Sequence, residues 1–334
     1  MSTGYLHLSA YFGERQRTGK AFLAEALLDL FTDHDVASSV MVRGIAGFGV
    51  RHVLRSDRSL SLSEDPPVMV TAVDTAVTIE ALLADVPGLV RRGLVTVQPA
   101  ALLGGHLPDP GLADDEGVKL TVHVGRGRSV DGRPAYRAVC AALQESGFLG
   151  AVTFLGVDGV SGGQRRRAHF FSRNDDVPAR VVAVGFAGQA RAALSGLAAV
   201  LDEPVLTVQG TRVCKRDGEL LGRPTGADRK LVIATDESAL YEGAPIHRAV
   251  VRRLREERVA AGATVLRGIC GFRGDQAPRG DRLFQLGRRV PVVTTVVDTP
   301  ERIAESFRIV DEITADHGLV TCEPVPRVLV VGGG

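Results

Sequence analysis

The stretch VRGIAGFGVR (42–51) places three glycines and a phenylalanine between two arginines, directly after an apolar run. Glycine allows positive φ and close backbone approach, and backbone N–H groups gathered in a nest can hold an anion. Arginine adds charge-assisted hydrogen bonds to phosphate. Two interpretations remain open. The cluster is either an anion-binding site, or a turn whose glycines only shape the backbone and whose phenylalanine only belongs to the core.

The same cluster recurs along the chain. It returns as LRGICGFRGD (266–275), and a weaker form, FLGVDGVSGG (154–163), lies between the two. Gly44 and Gly268 are 224 positions apart, which is twice 112 and places Gly156 midway. TAVDTA (71–76) returns with the same offset as TVVDTP (295–300). A fixed period of this length indicates three tandem copies of one unit. We predict copies at 1–100, 118–210 (the most diverged) and 229–328, with linkers at 101–117 and 211–228.

Each copy shows the same order of patterns. An alternating run predicts a first strand, at 5–14, 119–127 and 230–238. An amphipathic helix follows, and after it come a strand that ends in the glycine cluster, a long polar loop and a third strand. A second helix (76–91 and 300–315) and a last strand complete the unit. The apolar face of the first helix comprises Phe22, Leu23, Leu27, Leu30 and Phe31 in copy one, and Ile246, Val250, Val251 and Leu254 in copy three.

This order, β-α-β-β-α-β, is the split unit of ferredoxin-like α+β folds, with a four-stranded antiparallel sheet and two helices on one face. The second linker contains the sequence Arg-Asp-Gly-Glu between short apolar runs, which predicts an additional hairpin. Asp74 and Asp298, each followed by threonine, are interpreted as helix N-cap sites, in which the oxygen of the aspartate or of the threonine accepts from free helix N–H groups. Glu14 and Glu237 occupy comparable places after the first strand, and no role is assigned to them.

Composition narrows the class of protein. The 334 residues are 45% hydrophobic and 24% charged, with a net charge of +1, as in a soluble globular protein without a general affinity for nucleic acid. We expect no signal peptide and no membrane insertion, because no apolar run reaches the length of a membrane helix. The four cysteines form no C-x-x-C motif, which favours a reducing cytoplasm.

Reactive motifs are missing from the sequence. No G-x-S-x-G, H-E-x-x-H or Walker-type loop occurs, and the eight histidines do not repeat in register. Metal-ligand spacing of His, Cys or carboxylate residues is also not evident. We therefore expect a protein that is neither an enzyme nor a metal-binding protein.

Copies one and three have the strand, GIAGFG-type cluster and polar loop, followed by a strand ending in VDT and by GLVT before the last strand, whereas copy two matches mostly in periodicity and spacing. This combination resembles the PII-like proteins of domain-of-unknown-function family 190, in three copies that cover nearly the whole chain. The resemblance implies ferredoxin-like units, and relatives in the wider PII and CutA superfamily assemble as homotrimers. It further implies that the three copies form an intramolecular pseudo-trimer, so that the protein acts as a monomer.

In PII proteins the loop between strands two and three, the T-loop, contacts partner proteins, and nucleotides bind between subunits near its base. The resemblance places the T-loops here at 51–66, 162–176 and 273–289. It places the ligand-binding residues at Arg43, Gly44, Gly47, Phe48, Gly49 and Arg51 in copy one, and at Arg267, Gly268, Gly271, Phe272 and Arg273 in copy three.

One feature departs from PII proteins, which bind ATP phosphates with a glycine- and lysine-rich loop before the last strand. Here that connection is short, for example VRRGL (90–94), where Arg91 and Arg92 partly substitute. The expected ligand is a small anion, with an adenine nucleotide (ATP, ADP, AMP or cyclic AMP) as the candidate. The expected function is regulation of an unidentified protein partner through the T-loops. The alternative is an interaction scaffold that uses the T-loops without a ligand.

Overall fold

The computed structural model describes residues 4–56, 65–103, 112–161, 163–168, 177–201, 205–274, 279–280 and 290–331. Within these ranges each of the three copies contains four main strands and two helices in the predicted order. Copy one has strands Tyr5–Gly13, Ser38–Phe48, Pro67–Thr75 and Gly93–Leu103, with helices Leu23–Asp33 and Ala76–Leu89.

Copies two and three differ from copy one in that an interruption divides the second strand. Copy two has strands Gly117–Gly125, Gly150–Leu155 continued by Asp158–Ser161, Pro178–Phe186 and Val205–Gly210, with helices Ala135–Glu145 and Ala187–Val200. Copy three has strands Asp228–Asp236, Ala263–Arg267 continued by Cys270–Arg273, Pro291–Val297 and Leu319–Pro324, with helices Ile246–Glu256 and Pro300–Ile313.

The four strands of each copy form an antiparallel sheet in the order 2-3-1-4. In copy one, Leu8 of the first strand faces Ala72 of the third strand and Val97 of the fourth, and Val40 of the second strand faces Thr71. Copies two and three repeat this pairing. The chain is therefore a tandem array of mixed α/β units built on antiparallel sheets.

The second strands join the copies to one another. In copy one, the first half of this strand pairs with copy two, where Val40 faces Gly159, and the second half pairs with copy three, where Gly47 faces Thr264. Copy three in turn pairs with copy two, where Gly271 faces Val152. Because each copy contacts both others in this way, the strand pairing closes into a cycle.

The fourth strands form a second set of links, because each copy has a C-terminal extension that pairs with the next copy. Residues 101–103 pair with the last strand of copy two, Arg212–Arg216 pairs with that of copy three, and Arg327–Val331 pairs with that of copy one. The hairpin predicted in the second linker is confirmed, since Arg212–Arg216 also pairs with Glu219–Leu220. Asp217 and Gly218 both have positive φ at its turn, as a two-residue hairpin requires.

Each copy has its own hydrophobic core, and a fourth cluster with members from all three copies, among them Tyr11, Phe154 and Leu266, lies between the sheets. The predicted helix faces are confirmed for copy three, whose four apolar residues are all buried. In copy one Leu23, Leu27 and Phe31 are fully buried. Phe22 is not part of that face. It precedes the helix and is 38% exposed, and the guanidinium of Arg17 lies over its ring.

The phenylalanine of the glycine cluster inserts into the core of a neighbouring copy. Phe48 of copy one belongs to the core of copy three, and Phe272 of copy three belongs to the core of copy two. Val160 of copy two occupies the corresponding place in the core of copy one. The interpretation of these aromatic residues as core residues is therefore correct, but the core is that of the adjacent copy.

We expect Phe48→Ala to lower the free energy of unfolding by about 3–5 kcal/mol, because it removes a buried ring and leaves a cavity between two copies. Phe22→Ala is the matched control, since its ring is partly exposed, and we expect it to cost less than about 1 kcal/mol. Urea denaturation followed by circular dichroism measures both. Equal losses for the two variants would contradict this account.

Threonine caps the second helices of copies one and three, as predicted. The Thr75 Oγ1 accepts from the amide of Thr78, and Thr299 does the same for Arg302. The preceding Asp74 has a different role, because one of its oxygens accepts at 2.7 Å from the amide of Ala37. Asp298 repeats this bond at the amide of Ala261, so each aspartate ties the end of strand three to the start of strand two. No helix in the described ranges is long and apolar enough to span a membrane.

Candidate functional site

The glycines of the cluster lie where the backbone of one copy approaches the next. A Cβ on Gly47 would lie 2.6 Å from the carbonyl oxygen of Ala263, and one on Gly271 would lie 2.2 Å from that of Ala151. Gly159 of the middle copy repeats this arrangement, 2.3 Å from the oxygen of Ser39. These distances are too short for any side chain, which explains why glycine recurs at this position.

Positive φ is not a property of these glycines, and that part of the prediction is wrong. Gly44, Gly47, Gly49, Gly268 and Gly271 all lie outside the left-handed region. The left-handed residues come later, at the start of each predicted T-loop, and they are His52, Gly163 and Gly274. The backbone of the cluster is extended because it is engaged in strand pairing between copies, so it forms no nest for an anion.

A cleft of about 720 Å³ lies between copies one and three at the base of the first predicted T-loop. Six of the predicted ligand residues line it: Gly47, Phe48, Gly49, Arg51, Arg91 and Arg92. Copy three contributes the start of its second strand, at Ala261–Thr264, and the beginning of its second helix, at Asp298 and Thr299. The arginines after strand two and before strand four are thereby brought to one opening.

The lining of this cleft is strongly positive. It contains seven arginines (Arg15, Arg17, Arg51, Arg55, Arg91, Arg92 and Arg229) and two aspartates (Asp65 and Asp298). Asp298 is already occupied by backbone amides, and Asp65 is paired with Arg55 at 2.5 Å. Arg51, Arg91 and Arg92 are exposed, and within the described ranges their side chains make no ion pair. Among the residues that the structure describes, these guanidinium groups are thus available to an anion.

Four arginines of the cleft were not predicted as ligand residues from the sequence: Arg15, Arg17, Arg55 and Arg229. Arg15 and Arg17 follow the first strand, in a segment that carries no glycine motif. Arg229 belongs to copy three and reaches the cleft only because the two copies pair. Arg55 lies in the predicted T-loop and was one charge among many there. Charge within each loop was visible in the sequence, but its convergence across a boundary between copies was not.

Arg43 and Arg267 do not line the cleft. Each pairs with the glutamate that follows the first strand of its own copy: Arg43 with Glu14, and Arg267 with Glu237 at 2.6 Å. This repeated ion pair gives the two glutamates the role that the sequence left open. Gly44 and Gly268 lie beside the prolines that begin strand three, since a Cβ on Gly44 would be 2.8 Å from Cγ of Pro67.

The arginines at the other two boundaries between copies are engaged in ion pairs. Arg165 of copy two contacts Asp158 at 2.7 Å and Asp29 of copy one at 2.5 Å. Arg273 of copy three contacts Asp217 at 3.0 Å and Asp236 at 3.2 Å. The three boundaries are therefore unequal, and the predicted residues Gly271, Phe272 and Arg273 line a different cavity, to which all three copies contribute.

At least half of each predicted T-loop lies outside the described residues, namely 57–64, then 162 and 169–176, then 275–278 and 281–289. Residues 202–204, in the connection before the last strand of copy two, also lie outside them. In the part of the chain that the structure does describe, no group of three His, Cys, Asp or Glu side chains is placed to hold a metal ion.

Three copies of an α/β unit, each with a four-stranded antiparallel sheet and joined by strand pairing within one chain, define a tandem-repeat α/β protein. The motifs of each copy identify the family. The chain belongs to DUF190, described as Uncharacterized ACR, COG1993, whose family model matches residues 5–102, 117–213 and 228–327. The family to which the sequence motifs were compared is thereby confirmed.

Relatives of single-copy length match one copy of this chain at a time. A UPF0166 protein of Aquifex aeolicus (strain VF5) is 38% identical over 96 residues, which is 28% of this chain and 88% of that protein. A UPF0166 protein of Methanocaldococcus jannaschii is 30% identical over 90 residues, which is 27% of this chain and 82% of that protein. Both names describe families rather than activities.

Among solved structures, the regulatory subunit of aspartate kinase from Thermus thermophilus is 15% identical, with a TM-score of 0.29. That match covers 60% of this chain and 95% of the subunit. A protein of unknown function from Galdieria sulphuraria is 12% identical, with a TM-score of 0.19, and the match covers 62% of this chain and 98% of that protein. Scores this low establish no common architecture for the whole chain.

Proposed function

We propose that this protein is a PII-like regulatory protein whose three ferredoxin-like copies act together as an intramolecular pseudo-trimer. The cycle of strand pairing between the copies supports this assembly. In this proposal the cleft between copies one and three binds a small anionic ligand, with an adenine nucleotide as the candidate. One observation carries the proposal: Arg51, Arg91 and Arg92 of copy one, which form no ion pair with any described residue, converge at the base of a predicted T-loop.

Ligand binding would act on the T-loop through Asp65. This carboxylate accepts from the guanidinium of Arg55 at 2.5 Å and from the backbone amide of Arg15 at 2.6 Å, so it holds the two ends of the loop together beside the cleft. A bound anion competes with Asp65 for Arg55. Binding would shift the T-loop from one conformation to another, to the extent that the ligand has a higher affinity for the second conformation. A partner protein would bind only one of the two conformations.

The other two boundaries support a single site of this kind per chain. Their arginines are held by carboxylates of the chain itself, at Asp29 and Asp158 for copy two and at Asp217 and Asp236 for copy three. An anionic ligand would have to displace these pairs before binding there. We therefore expect the cleft between copies one and three to bind ligand more tightly than the other two boundaries.

Calorimetric titration with ATP, ADP, AMP and cyclic AMP, with and without magnesium, tests the site. The double variant Arg91→Ala/Arg92→Ala is expected to weaken binding tenfold or more, because a charge-assisted hydrogen bond is worth about 1.5–3 kcal/mol. Arg308→Ala is the matched control. It removes a guanidinium that is 68% exposed on the second helix of copy three, outside the cleft, and it should leave affinity unchanged.

Two outcomes would reject the ligand site. One is no heat and no change of melting temperature with any of the four nucleotides. The other is equal affinity for the wild type and the double variant. Either result would favour the scaffold, in which the T-loops contact a partner without a ligand, and capture of the same partner with and without nucleotide would then be the measurement to make.

A further inference from the structure

Polar and charged side chains meet in the interior where the three sheets face each other. At equivalent positions of the first strand the copies carry His7, Lys119 and Lys230, and all three are buried. At equivalent positions of the fourth strand they carry Gln98, Gln209 and Glu323, and these are buried as well. A cavity of about 110 Å³ runs among these strands and extends to the boundary between copies two and three.

One carboxylate serves the two lysines in this interior. Oε2 of Glu323 accepts from Nζ of Lys119 at 2.6 Å and lies 3.2 Å from Nζ of Lys230. It also accepts from Nε2 of Gln98 at 2.9 Å. Oε1 of Glu323 has no partner among the described residues. The second lysine is therefore only partly compensated, because a single charge is shared between two ammonium groups.

Arg180, on the third strand of copy two, adds a third cation to the lining of the same cavity. Its side chain is 6% exposed, and no carboxylate pairs with it in the described residues. Its contacts are the ring of Phe154, 5.3 Å from the guanidinium, and Sδ of Met69 at 3.5 Å, while its Nε has no partner. A buried guanidinium in this state is costly unless an anion compensates it.

The corresponding positions of the other copies carry no charge. Register places Met69 opposite Tyr11 in copy one and Val293 opposite Ala234 in copy three, where copy two has Arg180 opposite His123. The sheet thus accommodates an apolar side chain at this place twice. The fold therefore does not require the arginine that copy two carries at this position. Its presence points to a ligand.

We propose that this central cavity binds a small inorganic oxyanion such as phosphate, held by Arg180 together with Lys119 and Lys230. These three cations share one carboxylate, Glu323, because the other charged residues of the lining, Arg273 and Asp236, pair with each other at 3.2 Å. Ser9, Thr121 and Tyr11 line the same cavity and add hydroxyl donors. Several donors around one space suit an acceptor with several oxygens, and guanidinium groups match oxyanion geometry. The volume exceeds that of a single water, which needs about 10–15 Å³.

The pKa shifts of the buried lysine and histidine indicate an excess of positive charge in this cavity, which favours an anion. Burial lowers the pKa of Lys119 to about 7, with Lys230 and Arg180 adding to the effect and Glu323 opposing it. Burial also lowers the pKa of His7, and the positive charges of Lys119, Lys230 and Arg180 lower it further, so this imidazole stays neutral. An anion in the cavity would raise the pKa of Lys119, and binding near pH 7 would take up protons.

The test is the melting temperature of the full chain in increasing sodium phosphate, against sodium chloride at matched ionic strength. For the wild type we expect a rise that grows with the logarithm of the phosphate concentration and reaches about 4 °C at hundredfold excess over Kd. Arg180→Met, which installs the residue found at this place in copy one, should fold and lose the rise. Arg308→Met, the surface control, should keep it. Arg91→Ala/Arg92→Ala should also keep it, which separates this site from the nucleotide cleft.

A second measurement does not depend on a variant that folds. Calorimetric titration of the wild type at pH 7 with sulfate, an oxyanion that does not itself titrate near pH 7, in two buffers of different ionisation enthalpy, should show about one site per chain and net proton uptake. The proposal is overturned if phosphate shifts the melting temperature no more than chloride does, if Arg180→Met retains the shift, or if binding takes up no protons.

Discussion

Gly271→Ala is expected to lower the free energy of unfolding by about 3 kcal/mol or more, although it adds only one methyl group. The new Cβ would lie 2.2 Å from the carbonyl oxygen of Ala151 and 2.9 Å from Cγ of Pro291. Neither neighbour is the flexible end of a side chain. The backbone oxygen belongs to copy two, and the proline ring begins the third strand of copy three, so the two copies must move apart.

The cost should extend beyond the substituted residue. Gly271 faces Val152 in the ladder that joins copies two and three, and the next residue, Phe272, inserts into the core of copy two. Separation of the backbones at Gly271 therefore weakens both the ladder and the insertion. Gly159→Ala, with its Cβ 2.3 Å from the oxygen of Ser39, should cause a comparable loss at the boundary of copies one and two.

Gly226→Ala is the matched control, because Gly226 is exposed, has no atom within 4 Å of its Cβ position and does not have positive φ. We expect it to change stability by less than about 0.5 kcal/mol. Urea denaturation of the three variants, followed by circular dichroism, measures these losses. If Gly271→Ala unfolds at the same urea concentration as Gly226→Ala, close backbone approach is not the reason for the recurring glycine.

Much of the fold could be predicted from the sequence because the chain repeats itself. Three imperfect copies of one pattern show which positions the fold constrains and which positions vary. Comparison of the copies predicted the order of the elements and the helices that start at Ala76 and Pro300. The Asp-Gly turn identified the additional hairpin. Phe22 was misplaced because helical spacing cannot show where a helix begins, and the helix starts one residue later.

The site was predicted only in part, because a sequence shows what a strand contains but not what lies beyond its outer face. Alternation in the first strands suggested one buried face and one solvated face. Closure of the three copies buries both faces, so His7, Lys119 and Lys230 are interior residues. Likewise, Arg229 reaches the cleft across a boundary between copies, whereas Arg43 is held by Glu14 of its own copy.

Glu323 is the residue whose loss should matter most among the interior charges. It is fully buried, and two lysines share its Oε2. Burial by itself would raise the pKa of Glu323, but Lys119 and Lys230 together lower it below its ordinary value, so the carboxylate is charged. Removing one partner of a buried ion pair leaves an uncompensated charge, which typically costs about 3–5 kcal/mol.

We therefore expect Glu323→Gln to lower the free energy of unfolding at pH 7 by about 3 kcal/mol or more, even though glutamine is the residue at this position in the other two copies. Lys119→Met should also be destabilising when introduced alone. In the Glu323→Gln background it should instead recover part of the loss, because it removes one of the two unpaired cations. This non-additivity is the signature of a shared interior charge, and a double-mutant cycle measures it.

The pH dependence of stability shows whether Glu323→Gln is destabilised by uncompensated charge or by lost packing. A lysine whose pKa is lower in the folded protein binds fewer protons there than in the unfolded chain, so stability rises with pH between the two values. In the wild type this window for Lys119 runs from about 7 to the ordinary lysine value of 10.5. Although burial lowers the pKa of Lys230, Glu323 raises it above the ordinary value in the wild type, so Lys230 adds nothing to this gain. Without Glu323, burial and the charge of Arg180 should lower the folded pKa of Lys230 below 10.5, and its window then adds to that of Lys119. The free energy of unfolding should thus rise more between pH 7 and pH 9 in Glu323→Gln than in the wild type. Urea denaturation of both proteins at the two pH values, at constant ionic strength, measures this difference. An equal deficit at both pH values would mean that lost packing, not uncompensated charge, explains the variant.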